Sequence, residues 1–112
     1  MQKGDGMKKI IVTAVVIVAG TMVPFGASPA AEQAGETLFK QHCMACHPGG
    51  SNIINPKKTL QKSVREANNI KTADDIIKIM RNPGPGMTKF DKNTVSDKSA
   101  KEIAEYILKT FK

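Results

Sequence analysis

Cys43-Met44-Ala45-Cys46-His47 constrains this chain more than any other stretch. Its two cysteines are the only ones present, they stand three positions apart, and an imidazole follows at once. Cysteines so close cannot join distant parts of the chain as a disulfide. In a helical turn their thiols project to one side, where they can meet the two vinyl groups of a single porphyrin as thioethers. The imidazole is then carried beneath the ring, with a nitrogen in reach of the iron. The motif therefore points to one covalently attached haem c fixed at Cys43, Cys46 and His47. Two other readings are open to such cysteines. Half of a zinc site would need a second C-x-x-C or a well-spaced histidine pair, and the sequence has neither. A thioredoxin-like redox pair would need a strand before it, whereas the lead-in here has helical periodicity.

A large bound group also answers a shortage in the composition. After residue 30 the aromatic side chains are Phe39, Phe90, Tyr106 and Phe111, with no tryptophan. So short a chain with so few large apolar residues usually needs a disulfide, a metal or a cofactor to complete its core. A porphyrin provides an apolar body around which short helices can pack.

Residues 1–30 read as an address for export. Met7-Lys8-Lys9 is a basic opening, Ile10 to Ala19 is apolar, and Ser28-Pro29-Ala30 offers small residues around a cleavage point, which puts the mature start near Ala31. Gly20 and Pro24 interrupt the apolar run, which falls short of the roughly 20 residues of a spanning helix. An uncleaved membrane anchor is the alternative. The expected organisation is thus a signal peptide over 1–30 and one domain over 31–112, with the protein exported to the periplasm. Removing 1–30 takes away Lys3, Lys8, Lys9 and Asp5 and leaves 14 basic and nine acidic residues, a net charge of +5. That excess is too small and too dispersed to argue for nucleic acid, and it suits a protein that meets acidic partners.

Apolar spacing predicts three or four short helices and no sheet. A first helix over about 32–41 delivers the chain to the cysteine motif, with Leu38 and Phe39 on its buried side. His47-Pro48-Gly49-Gly50-Ser51-Asn52 is dense in turn formers, and 57–68 is a polar, partly helical segment. Thr72 followed by Asp74 and Asp75 looks like a capped helix start, and Ile76, Ile77, Ile79 and Met80 form its apolar face up to Asn82-Pro83. Ser96-Asp97 opens a last helix striped by Ala100, Ile103, Ala104, Ile107 and Phe111.

The sixth iron ligand must come from remote sequence. His42 belongs to the same turn as His47 and reads as an exposed helix-end residue. Met44 should face solvent, and Met80 lies on the apolar face of a helix. Met87 remains. It sits in Asn82-Pro83-Gly84-Pro85-Gly86-Met87, where two prolines and two glycines exclude regular helix and leave a shaped loop that can aim a thioether. Met87 as simple loop filler is the other reading. A thioether favours ferrous iron and occupies the last coordination position, so electron transfer is the chemistry that remains.

The chain resembles the small class I c-type cytochromes, most of all the carriers of the cytochrome c-six kind. Gly35, Phe39 and Cys43 at four-residue steps resemble that family's first helix, and Ile103 with Tyr106 resembles the last helix that crosses it. His47 to Leu60 is similar, without a gap, to the family's H-x-G-G-x-N-x-I-x-P-x-K-T-L stretch. The resemblance implies a class I cytochrome c fold around one haem, the backbone near Pro56 as acceptor for the second imidazole N–H, and Met87 as iron ligand in the loop that ends at Phe90. Met87-Thr88-Lys89-Phe90 departs from the family's Met-Pro-Ala-Phe.

The function expected is a periplasmic carrier of single electrons between redox partners, not an enzyme. Lys40, Lys57, Lys58, Lys89 and Lys92 either steer acidic docking surfaces toward the haem edge or form an ordinary solvated face. Two further functions compete: a haem peroxidase or gas sensor in which the Met87 loop swings away, and a cytochrome subunit of a membrane complex tethered through residues 1–30.

Overall fold

The computed structural model describes Gly20 and residues 29–112. The basic and apolar stretch read as an export signal lies outside the described residues, apart from Gly20 and the Pro29-Ala30 that open the first helix. Four helices follow one another: α1 (Pro29–His42), α2 (Lys62–Ala67), α3 (Ala73–Arg81) and α4 (Asp97–Thr110). A short 3-10 turn, Pro48–Gly50, lies between α1 and α2, and there is no strand among the described residues.

The helix ends follow local chemistry. Pro29 occupies the first position of α1, where its missing N–H costs nothing, so the helix starts three residues earlier than its apolar spacing predicts. Thr72 caps α3: its hydroxyl accepts the Asp75 N–H, while the Asp75 carboxylate accepts the Thr72 N–H. Ser96 caps α4 by accepting the Ser99 N–H. The segment 57–68 becomes helical only from Lys62, because the residues before it are tied into a loop described below.

α4 is the central element, with α1 crossing it on one side and α3 on the other. The crossing is close because Gly35 has no side chain: a β-carbon there would stand 2.5 Å from the Glu102 carbonyl oxygen and 2.9 Å from Tyr106 Cβ. Around this contact Phe39, Tyr106 and Phe111 form an aromatic triangle, with ring centroids 5.3, 5.5 and 6.1 Å apart. Tilted and edge-on ring pairs of this kind add attraction beyond their burial. Ala100, Ile103, Ala104 and Ile107 from α4 and Ile76 and Met80 from α3 complete the core. Ile79, on the same helix, is 36% exposed and faces a cavity that Ile76 and Met80 also line. No described helix is long and apolar enough to cross a membrane.

Candidate functional site

The cysteine motif continues α1 by one more turn. Cys43 N–H donates to the Phe39 carbonyl (2.8 Å), and the Cys43 carbonyl accepts from the N–H groups of Cys46 (3.2 Å) and His47 (2.9 Å). The thiols are unpaired with each other; Cys43 is half-buried and Cys46 exposed. Burial pushes the Cys43 thiol up to about 11, so it stays protonated at neutral pH.

The loop after the motif orients the imidazole. His47 Nδ1 lies 2.8 Å from the Ser51 carbonyl oxygen. A carbonyl can only accept, so Nδ1 is the donor here, and Nε2 is the ring nitrogen left to meet a metal. The acceptor is therefore Ser51, not the backbone around Pro56 that the family resemblance implied; the tight turn at Pro48–Gly50 brings the Ser51 carbonyl back under the ring. Asn52 holds the rest of the loop. Its side chain accepts the N–H groups of Ile54 (3.0 Å) and Asn55 (2.8 Å) and donates to the Lys58 carbonyl (2.9 Å). Ile53 N–H returns to the Cys46 carbonyl (3.0 Å), which locks loop and motif together.

Across from the motif stands the 82–90 loop. Phe90 N–H donates to the Met80 carbonyl (2.9 Å), so the loop leaves α3 and comes back to it. Gly86 has φ 89° and lies against Ile54, where a β-carbon would be 2.8 Å from the Ile54 methyl. Left-handed backbone and the close neighbour both call for glycine there. Met87 follows, half-buried and packed against the core.

Motif, loop, α3 and α4 enclose a cavity of about 520 Å³. Cys43, Cys46 and His47 line it with Met87, so all four predicted site residues are brought to one space. His42 lines it as well. It is half-buried, with its ring edge-on to Phe90 at 6.0 Å, rather than an exposed helix end. The walls are chiefly aliphatic, from Leu60, Ile70, Ile76, Met80, Ile103 and Ile107, and Ile79 faces the cavity from α3. Met44 is exposed and Met80 is buried in the core, as their positions predict.

The charges of this cavity were not visible in the sequence. Arg65 of α2 lines it while only 4% exposed. Its Nε donates to the Leu60 carbonyl (2.7 Å) and its Nη2 to the Phe111 carbonyl (3.1 Å), and no carboxylate among the described residues pairs with it. Lys58 is the other charged lining residue, and no Asp or Glu lines the cavity. An apolar space with only cationic side chains suits a flat apolar ligand with an anionic edge, and a porphyrin with two propionates has that character. No group of three or more His, Cys, Asp or Glu converges among the described residues, so the zinc reading has nothing to complete it.

The profile of the family described as cytochrome c oxidase, cbb3-type, subunit III, matches residues 30–107. Cytochrome c6 of Pyropia tenera is 42% identical over 74 residues, which are 66% of this chain and 86% of that protein. The chain belongs to the class I c-type cytochromes. Cytochrome c6 of Cyanidium caldarium is 40% identical over 74 residues, 66% of this chain and 66% of that protein. Among solved structures, the outer membrane cytochrome OmcF from Geobacter sulfurreducens has a TM-score of 0.68 and 44% identity, covering 70% of this chain and 99% of that one. As a class I cytochrome the chain is all-α, carries one covalently bound haem c, and serves electron transfer rather than catalysis.

Of the lysines that sequence singled out, Lys40 pairs with Glu36 (2.5 Å) and Lys92 with Asp97 (3.1 Å). Lys57, Lys58 and Lys89 are exposed and enter no ion pair among the described residues.

Proposed function

We propose that this cytochrome is a periplasmic carrier of single electrons, with thioethers at Cys43 and Cys46 and with His47 Nε2 and the Met87 sulfur as axial ligands. The observation that carries the reading is the His47–Ser51 hydrogen bond, which engages Nδ1 and leaves Nε2 as the ring nitrogen available to iron in a cavity that Met87 also lines. Residues 1–30 direct export and are removed near Ala31.

Bound haem supplies an iron that alternates between ferric and ferrous states. The chain's own part is to hold that iron in nearly the same surroundings in both. Ser51 fixes the imidazole plane and raises its donor strength through Nδ1. The Met87 thioether is soft and neutral, which favours the ferrous state and raises the reduction potential. Ile76, Met80, Ile103 and Ile107 exclude water, so little has to reorganise when the charge changes. Lys57, Lys58 and Lys89 give the partner-facing side a positive charge for acidic docking surfaces.

Mass spectrometry of the exported protein tests the attachment and the boundary together. The expected result is one added haem mass on a chain starting near Ala31, and no added mass ends the reading. Met87→Ala tests the sulfur: the weak red methionine-to-iron band of the ferric protein should vanish, and carbon monoxide should bind the ferrous protein readily where it does not bind the parent.

A further inference from the structure

The loop that carries Met87 is closed at its base by one side chain. Arg81 is the last residue of α3, immediately before the loop begins. Its Nη1 donates to two carbonyls, Phe90 (3.0 Å) and Val95 (2.8 Å), and its Nη2 donates to the Asp97 carboxylate (3.0 Å). Asp97 in turn holds Lys92 at 3.1 Å. The guanidinium thus joins the start of the loop, its end at Phe90, the segment beyond it and the first turn of α4.

Besides Arg81, the Phe90–Met80 backbone bond, the contact of Gly86 with Ile54 and the packing of Met87 on the core shape the loop, and hydrogen bonds within it are sparse. The internal backbone bond there is Met87 N–H to the Gly84 carbonyl at 3.4 Å, longer than a well-formed N–H···O contact. Gly84 and Gly86 leave the backbone free, and Pro83 and Pro85 have no N–H to donate. Arg81 is 20% exposed at its side chain, so its bonds are sheltered, and hydrogen bonds from an ionised guanidinium are stronger than those between neutral groups. The position of the Met87 sulfur is accordingly set from the base of the loop.

We propose that Arg81 is a positioning residue for the axial sulfur: by clasping the Phe90 and Val95 carbonyls, it keeps Met87 on the iron and other ligands off it. The proposal rests on Met87 being that ligand. It assigns the strength of the iron–sulfur bond to a residue that never touches the cofactor.

The test uses the exported holoprotein and added imidazole as the competing ligand. Arg81→Gln removes the charge and the fork, Arg81→Lys keeps the charge but reaches fewer carbonyls, and Asp97→Asn leaves the two carbonyl bonds in place. Each sheltered charged hydrogen bond contributes enough that Arg81→Gln should bind imidazole at ferric iron about tenfold more tightly than the parent. Arg81→Lys should fall between them, and Asp97→Asn should stay close to the parent. The red methionine band should be lost on warming well before the helices melt in Arg81→Gln, and together with them in the parent. Asn69→Ala is the control for general loss of stability. Asn69 is exposed, has φ 60° and lies at the end of α2, so its variant should melt earlier with unchanged imidazole affinity.

Parent-like imidazole affinity and band in Arg81→Gln overturn the proposal, as does an equal gain in affinity for Asn69→Ala. Should Arg81→Gln give no holoprotein, Arg81→Lys decides by the same two readouts. Failure of the ligand assignment looks different: Met87→Ala then leaves the red band as it was, and the proposal falls with it.

Discussion

Gly35 lies directly against the Glu102 carbonyl, so that α1 and α4 meet backbone to backbone. Gly35→Ala would place a methyl 2.5 Å from that oxygen, and neither helix can retreat without opening the triangle of Phe39, Tyr106 and Phe111. The variant should lose roughly 2–3 kcal/mol of stability. Denaturant unfolding of the holoprotein, followed by far-UV circular dichroism, measures it. The visible spectrum of the folded fraction should not change, because the contact is remote from the cavity.

Arg65 ties α2 to the loop before it and to the end of the chain at Phe111. Arg65→Met keeps the bulk while stripping the Leu60 and Phe111 carbonyls of their charged donor. A loss of about 1.5–3 kcal/mol is expected in the same unfolding experiment. The haem should remain attached, since the thioethers are covalent.

Stability in acid should depend on Asp75. The N–H groups of Lys71 (3.0 Å) and Thr72 (2.9 Å), with the Thr72 hydroxyl, hold its carboxyl below the ordinary aspartate range. Its contribution is therefore complete above the unfolded pKa of about 3.9 and is lost as pH falls through the lower folded value. Asp75→Asn should be less stable than the parent at neutral pH and should lose less between pH 5 and 2. Parallel melting curves for the two proteins across that window would contradict this.

If Lys57, Lys58 and Lys89 steer partners, electron transfer to an acidic acceptor should slow as salt rises toward 0.5 M. At that ionic strength the Debye length drops to about 4 Å, shorter than the reach of the docking charges. Changing the three lysines to glutamine should flatten the dependence. Stopped-flow rates that ignore ionic strength in the parent would count against steering.

What could be read from the chain follows the range of each interaction. Caps are local, so Thr72 and Ser96 mark α3 and α4 to the residue. The cysteine motif and Met87 could be singled out because cysteine spacing and loop composition leave few alternatives, and the structure brings them to one cavity. Arg65 could not be: on a short polar helix nothing distinguishes the one arginine that turns inward to a carbonyl 46 residues away. Nothing in the sequence sets Arg81 apart from any basic residue at a helix end, because its bonds to Phe90 and Val95 exist only once the loop has folded back. The His47 acceptor moved from Pro56 to Ser51 for a similar reason, since the Pro48–Gly50 turn is tighter than its composition alone reveals.

The aromatic triangle marries the two ends of the domain without help from anything outside the chain. The middle is different. Leu60, Val64, Ile70 and Ile79 line the cavity, and the haem completes their packing. One half of this molecule is thus written wholly in amino acids, while the other is finished by a pigment delivered after synthesis. A chain that missed that delivery would keep its ends joined and its centre loose, and a protease would cut it first between the cysteine turn and the last helix.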